Sequence, residues 1–174
     1  MATALLLLLA CRGASLDSGG AGDDAARVAV GTGNVAREVL SEGAQVTMVH
    51  GPQGGWHMLG SVRTWGMDPL IDIHFTIRAL EQDDALISDG LYHVKSVPDA
   101  LDGSAFCFPG MYGFLAVESL AQAPLDTPPE LLSWQRVAMR MDVTDALGRA
   151  AWDEVEVIAA PDADDLDLVP GLLP

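Results

Sequence analysis

Basic residues are scarce in this chain, and their scarcity excludes several classes of function. Nine Lys and Arg stand against 25 Asp and Glu, which gives a formal net charge of −16 at pH 7. Proteins that bind nucleic acid or an anionic membrane surface need a cationic face that displaces counterions. The composition therefore argues against both kinds of partner. It is compatible with a cationic partner, with a divalent metal, or simply with solubility.

The sequence also lacks the motifs of common catalytic sites. It contains no G-x-S-x-G elbow, no P-loop, no G-x-G-x-x-G after a strand and no H-E-x-x-H. No His follows Cys107, so a cupredoxin-type copper loop is not expected there. The acidic stretch Asp162–Asp167 has neither the turn Gly nor the final Glu of an EF-hand loop, and we expect it to be solvated surface. These absences predict a protein that is not an enzyme.

The sequence also has few long hydrophobic runs and only two cysteines. The apolar run before Cys11 is too short to span a bilayer and is typical of the hydrophobic region of a secretory signal peptide. Leu8-Leu9-Ala10-Cys11 resembles the lipobox of exported bacterial lipoproteins, although no Lys or Arg precedes the run. The resemblance implies that Cys11 carries lipid and anchors the protein to a membrane of the bacterial cell envelope. Cys107 is then unpaired, and we expect it to be a small buried hydrophobic residue.

The composition along the chain predicts one folded domain with two flanking segments. Residues 1–10 are expected to form the signal peptide. Residues 11–25 comprise the lipidated Cys and a flexible tether, since the sequence after Cys11 is small, polar and rich in Gly, Ser and Asp. Residues 26–160 then form the domain, and residues 161–174 an acidic, loose tail.

Alternation of apolar and polar residues predicts eight or nine short strands and no convincing amphipathic helix. The clearest alternation covers Leu70–Leu80, and it indicates a sheet with one solvated face. The dipeptide Asp89-Gly90 predicts a hairpin between two strands, and Pro109-Gly110 predicts an interruption between two others. Turns recur every eight to twelve residues, a pattern that predicts an all-β antiparallel sandwich.

The last predicted hairpin joins Ser133–Val143 to Ala150–Ala159. Its connection, Asp145-Ala-Leu-Gly-Arg149, resembles the closing hairpin of bacterial immunoglobulin-like domains. The resemblance implies an immunoglobulin-like β-sandwich and says nothing about function.

A turn motif between two His residues is the sharpest local feature. It contains a Pro and three Gly, which favour a tight turn between adjacent strands. The segment from Gly51 to His57 also resembles a signature of uncharacterised exported bacterial lipoproteins, which implies a lipoprotein and a sandwich but no activity. The residues of the turn are Gly51, Pro52, Gln53, Gly54, Gly55 and Trp56.

Two functions follow from these patterns. The first is a non-catalytic, membrane-tethered binding module for an envelope protein, without a cofactor. Its candidate contact residues are Trp65, Trp134, Trp152 and Tyr112. The alternative is a copper or zinc site formed by His50 and His57, which His74 could join only if the strand register allows it.

Overall fold

A computed structural model describes residues 25–51, 54–123, 126–168 and 172. The predicted signal peptide, Cys11 with most of its tether, and the turn residues Pro52 and Gln53 lie outside these residues. The described elements are β1 (Arg27–Thr32), β2 (Glu38–Val39), β3 (Gln45–His50), β4 (Trp56–Trp65), β5 (Leu70–Ala79), β6 (Ala85–Lys95), β7 (Val97–Pro98), β8 (Ala105–Phe114), α1 (Pro128–Leu132), β9 (Arg136–Asp145), β10 (Ala150–Pro161) and α2 (Ala163–Leu168).

Strand β5 shows how the two-residue period becomes a buried and a solvated face. Ile71, Ile73 and Phe75 are buried, whereas Asp72 and His74 are exposed. Successive side chains of a strand point to opposite sides of the sheet, so the apolar set reaches the core as one row. The face assignment predicted from the sequence is confirmed for this strand, and the prediction of a mostly β protein is confirmed for the described residues.

The prediction of an antiparallel sandwich was wrong about which strands pair with one another. The strands form one mixed sheet that curls into a half-barrel, and its main path runs β2-β1-β4-β3-β10-β9-β5-β6. Strand β8 pairs with β4 outside this path, and the short β7 pairs with β8. Strand β10 pairs in parallel with β3, with Ile158 opposite Gln45. Alternation specifies the face of a residue but not the neighbour of its strand, so the sequence could not reveal this pairing.

The curl of the sheet brings distant strands together around one core. A side-chain carbon at Gly60 of β4 would lie 2.7 Å from the ring of Phe75 in β5. One at Gly113 of β8 would lie 2.6 Å from Ile77 in β5. Strands β4 and β8 therefore pack closely on β5 across the core, although β5 is hydrogen-bonded only to β6 and β9.

Two dipeptides that were predicted to interrupt the strands lie within continuous strands instead. Asp89 and Gly90 lie within β6, opposite Thr76 and Phe75 of β5. A two-residue hairpin turn needs positive φ at one or both central positions, and neither residue has it. Pro109-Gly110 lies within β8, where Gly110 has a φ of 75° and the pairing register with β4 shifts. Such a bulge bends a strand without ending it.

Residues 161–168 and 172 of the acidic tail are among the described residues. Helix α2 begins two residues after β10, and Leu172 is buried. The indole Nε1 of Trp134 donates a hydrogen bond to the carbonyl of Leu172. The loose tail predicted from composition is therefore wrong for these residues. Within the described ranges, no helix has the length and apolarity needed to cross a membrane.

Candidate functional site

The turn motif does join adjacent strands, as predicted. Strands β3 and β4 pair antiparallel, with His50 opposite Trp56 and Val49 opposite His57. Gly54 and Gly55 have φ values of 86° and 81°, a conformation that glycine adopts without a steric penalty. The Gly51 amide donates to the Gly55 carbonyl at 2.9 Å and closes the turn.

This pairing places His50 and His57 on opposite faces of the hairpin. Directly opposed residues in an antiparallel pair share a face, and neighbours along a strand do not. His50 therefore lies beside Trp56, with ring centroids 4.8 Å apart. His57 instead projects to the face that carries the aromatic residues of β8, opposite Phe114.

The third candidate metal ligand lies on a different part of the sheet. His74 is on the exposed face of β5, where its Nε2 contacts Asp89 Oδ1 at 2.6 Å. Next to it, His93 Nδ1 contacts Asp72 Oδ1 at 2.5 Å. Within the part of the chain that the structure describes, no group of three or more His, Cys, Asp or Glu is arranged to hold a metal ion.

His57 is buried beneath two aromatic side chains. Only 4% of it is exposed, and its Nδ1 has no hydrogen-bond partner among the described residues. Burial lowers the pKa of its imidazole, and the nearby His50 lowers it further. The surroundings therefore disfavour the charged form of this imidazole.

Tyr112 and Phe114 lie over this imidazole and are themselves open to solvent. Their ring centroids are 4.7 Å and 6.0 Å from that of His57. The two rings stack at 6.1 Å with an interplanar angle of 22°, and 41% of Tyr112 and 62% of Phe114 are exposed. We call His57, Tyr112 and Phe114 the aromatic patch. Both exposed rings project from a strand and contact the buried imidazole on one side.

Of the four predicted contact residues, Tyr112 and Trp152 are exposed, whereas Trp65 and Trp134 are half-buried. The Arg140 guanidinium lies 4.1 Å from the Trp152 ring centroid, a cation–π arrangement. Sequence reasoning missed Phe114, because the interruption predicted at Pro109-Gly110 lies within the single strand that carries it. The signal that could have identified it is the aromatic-Gly-aromatic spacing of residues 112–114, which puts both rings on one face.

Cys107 is half-buried and hydrogen-bonded, whereas the sequence predicted a buried apolar contact. Its thiol donates to Asp99 Oδ2 at 3.1 Å. Burial raises the pKa of the thiol to about 11, and the Asp99 carboxylate contributes in the same direction. The thiolate is the nucleophilic form of cysteine, so this environment opposes nucleophilic chemistry at Cys107.

Comparisons with known proteins find only a distant likeness. No family model matches this chain, and no curated protein sequence matches it. Among solved structures, the CooA pilin subunit from enterotoxigenic Escherichia coli is similar with a TM-score of 0.36 and 9% sequence identity. The match covers 78% of this chain and 98% of that chain. A similarity this low carries no argument about function.

Proposed function

We propose that this protein is a non-catalytic binding module, tethered to the bacterial cell envelope by a lipid on Cys11, and that the aromatic patch is its contact surface. The observation that carries the proposal is the exposure of two stacked rings, Tyr112 and Phe114, over a buried His57. Of the predicted immunoglobulin-like domain, the proposal keeps only the closing hairpin β9–β10, since the strands form one mixed sheet.

The physical argument rests on the cost of exposing ordered aromatic surface. Tyr and Trp dominate binding energy at protein interfaces, because they bury a large area and lose little conformational entropy. Rings that are already fixed lose still less on binding. The patch has these properties, and the Tyr112 side chain adds a hydroxyl for a directed hydrogen bond. The partner that fits is an envelope protein with a complementary apolar surface.

No observation among the described residues favours the alternative function as a copper or zinc site. His50 and His57 project to opposite faces, and each ring has an aromatic neighbour instead.

Site-specific photo-crosslinking in living cells tests the contact surface. A photoreactive residue at position 114 of the full chain should give a discrete cross-linked product in the envelope fraction, and Tyr112→Ala should greatly reduce it. The matched control is a photoreactive residue at Leu147, which is exposed in the β9–β10 turn outside the patch. No product at position 114, or an equal product at position 147, would contradict the proposal.

Lipidation has a separate test. Metabolic labelling with a palmitate analogue should mark the protein, and Cys11→Ser should abolish the label. Labelling that persists in the Cys11→Ser variant would refute the anchor but leave the contact surface untouched.

A further inference from the structure

A cleft of about 310 Å³ lies away from the aromatic patch, between the β1–β2 connection and the β7–β8 connection. Arg37 and Arg63 line it together with Cys107 and Asp99, and we call it the arginine cleft. Four of the eleven exposed large hydrophobic residues in the described ranges line this one cleft: Val35, Val39, Val97 and Leu101. Exposed apolar residues that cluster around a concavity indicate a binding site more strongly than residues scattered singly.

The two arginines of the cleft differ in their partners. Arg63 Nε lies 2.9 Å from Asp99 Oδ2, and its Nη2 donates to Asp102 Oδ2 at 3.0 Å. Its guanidinium also lies 4.8 Å from the Trp65 ring centroid, and the Trp65 indole donates to the same Asp102 oxygen. The charge of Arg63 is thus paired with carboxylates within the fold, although its Nε, like that of Arg37, is buried without a hydrogen-bond partner among the described residues.

Arg37 has no carboxylate in direct contact among the described residues, and the charges of Asp99 and Asp153 act on it only from a distance. Its side chain lies against Gly31, where a side-chain carbon would come within 3.0 Å of Nε. Its Nη2 donates to the Val30 carbonyl at 3.1 Å, while its Nε is buried without a hydrogen-bond partner among the described residues. No described carboxylate lies within 4.0 Å of it, even though acidic residues greatly outnumber basic ones in the chain. A partly buried, unpaired guanidinium is costly, and an anion that pairs with it recovers that cost.

We propose that the arginine cleft binds a small aliphatic carboxylate, with its carboxylate on Arg37 and its hydrocarbon chain along the four exposed aliphatic residues. Two observations favour a monoanion over a phosphate. The aliphatic lining matches a hydrocarbon chain, and the Asp99 carboxylate in the lining would repel a second negative charge. The volume is at the lower end for small-molecule sites, which fits a chain of several carbon atoms. This inference does not rest on the proposed function, since the two surfaces share no residue.

Isothermal titration calorimetry with octanoate tests the site. The full-length chain should carry Cys11→Ser, which keeps it free of lipid and soluble without detergent. Octanoate should bind saturably with one site per chain, and Arg37→Gln should weaken the binding at least tenfold. The matched control is Arg136→Gln, an exposed arginine outside the cleft that pairs with Glu81 and Glu156, and this variant should bind as the parent does.

Two ligand controls separate the parts of the proposal. Acetate has the charge without the chain and 1-octanol has the chain without the charge, so each should bind at least tenfold more weakly than octanoate. Absence of saturable octanoate binding, equal binding by Arg37→Gln, or equal binding of 1-octanol would overturn the proposal.

A substitution at the edge of the cleft provides a second test in case Arg37→Gln does not fold. Leu101 is almost fully exposed, so Leu101→Ser should leave the circular dichroism spectrum unchanged and weaken octanoate binding severalfold. If Arg37→Gln unfolds, Leu101→Ser decides the question, and an unchanged affinity in that variant counts against the cleft.

Discussion

Tyr92 of β6 donates a hydrogen bond from its hydroxyl to the backbone carbonyl of Tyr112 in β8, with an oxygen–oxygen distance of 2.6 Å. Strand β6 is one end of the main path of the sheet and β8 lies off that path, and no ladder of backbone pairs joins these two strands within the described residues. One backbone bond, from the Ala116 amide to the Ile87 carbonyl at 2.7 Å, lies beside the same seam. The Tyr92 hydroxyl therefore helps to hold the half-barrel closed and fixes the strand that carries the aromatic patch.

Tyr92→Phe removes only this hydroxyl. We expect the free energy of unfolding to fall by about 1 kcal/mol, because the Tyr112 carbonyl loses a hydrogen bond. Urea denaturation measures the change. Tyr112→Phe is the matched control, since its hydroxyl has no hydrogen-bond partner among the described residues, and its effect should be smaller. Equal effects of the two variants would show that the seam does not depend on Tyr92.

Gly60→Ala tests the close packing of β4 on β5. The added carbon would lie 2.6 Å from Met141 Cε and 2.7 Å from the Phe75 ring, so the core must shift to admit it. We expect a loss of about 1 to 3 kcal/mol in the free energy of unfolding. Gly103→Ala meets nothing within 4 Å and should change it by less than about 0.5 kcal/mol. Thermal or urea denaturation of both variants checks the contrast, which disappears if β4 and β5 do not pack in this way.

Asp145 organises the β9–β10 turn. It accepts hydrogen bonds from the amides of Asp68, Leu147 and Arg149, and from the Arg149 guanidinium at 2.7 Å. Burial of the carboxyl group acts to raise its pKa, but these donors outweigh it and lower the pKa to about 2. A carboxyl group with a lowered pKa in the folded state stabilises the fold above its ordinary pKa of 3.8, and this contribution is lost as the pH falls toward 2.

Asp145→Asn should therefore destabilise the protein in a pH-dependent manner. At neutral pH we expect a loss of about 2 to 3 kcal/mol, because charged hydrogen bonds are lost and amides on one side of the group lose their acceptor. The difference from wild type should narrow as the pH falls from about 4 to about 2. Urea midpoints across this range provide the measurement, and a difference independent of pH would be inconsistent with the ionised carboxylate.

His57 also makes the fold less stable in acid, but over a higher pH range than Asp145. Because burial lowers its pKa below the ordinary 6.5, the unfolded chain binds a proton that the folded chain does not. The free energy of unfolding should thus fall as the pH drops below about 6.5. His57→Phe, which suits the aromatic surroundings, should reduce this acid-dependent loss.

The control for His57→Phe is His93→Gln on the exposed face, which should retain the acid-dependent loss of wild type. Urea denaturation of wild type and the two variants, at pH values above and below about 6.5, measures the loss in the free energy of unfolding. The assignment to His57 fails if His93→Gln, and not His57→Phe, removes the loss.

Local features of the fold were predictable from the sequence when they depended on alternation. The inward row of β5 and the β9–β10 hairpin were predicted from residues that are neighbours along the chain, and both are present. Turn dipeptides were less reliable. Asp89-Gly90 has the composition of a hairpin turn, yet ten-residue β5 pairs with β6 on both sides of it and keeps the chain extended.

The candidate site, like the fold, was predictable from the sequence only in its local features. The sequence identified the turn between His50 and His57 and the contact candidates Tyr112 and Trp152. It could not show that His57 lies under Tyr112, because that contact depends on the pairing of β4 with β8. The sequence did not reveal the arginine cleft either, since Arg37 and Cys107 are brought together by the pairing of β4 with both β1 and β8.

By itself, the sequence determined the acidic charge, the strands and the inward face of each clear strand, since these follow from composition and from the two-residue period of an extended backbone. The tertiary structure decided which strands are neighbours, including the parallel pair β3 and β10, and so decided which exposed side chains form a surface. The physical reason is that alternation is satisfied by many pairings. Only the packing of remote apolar rows into one core selects among them.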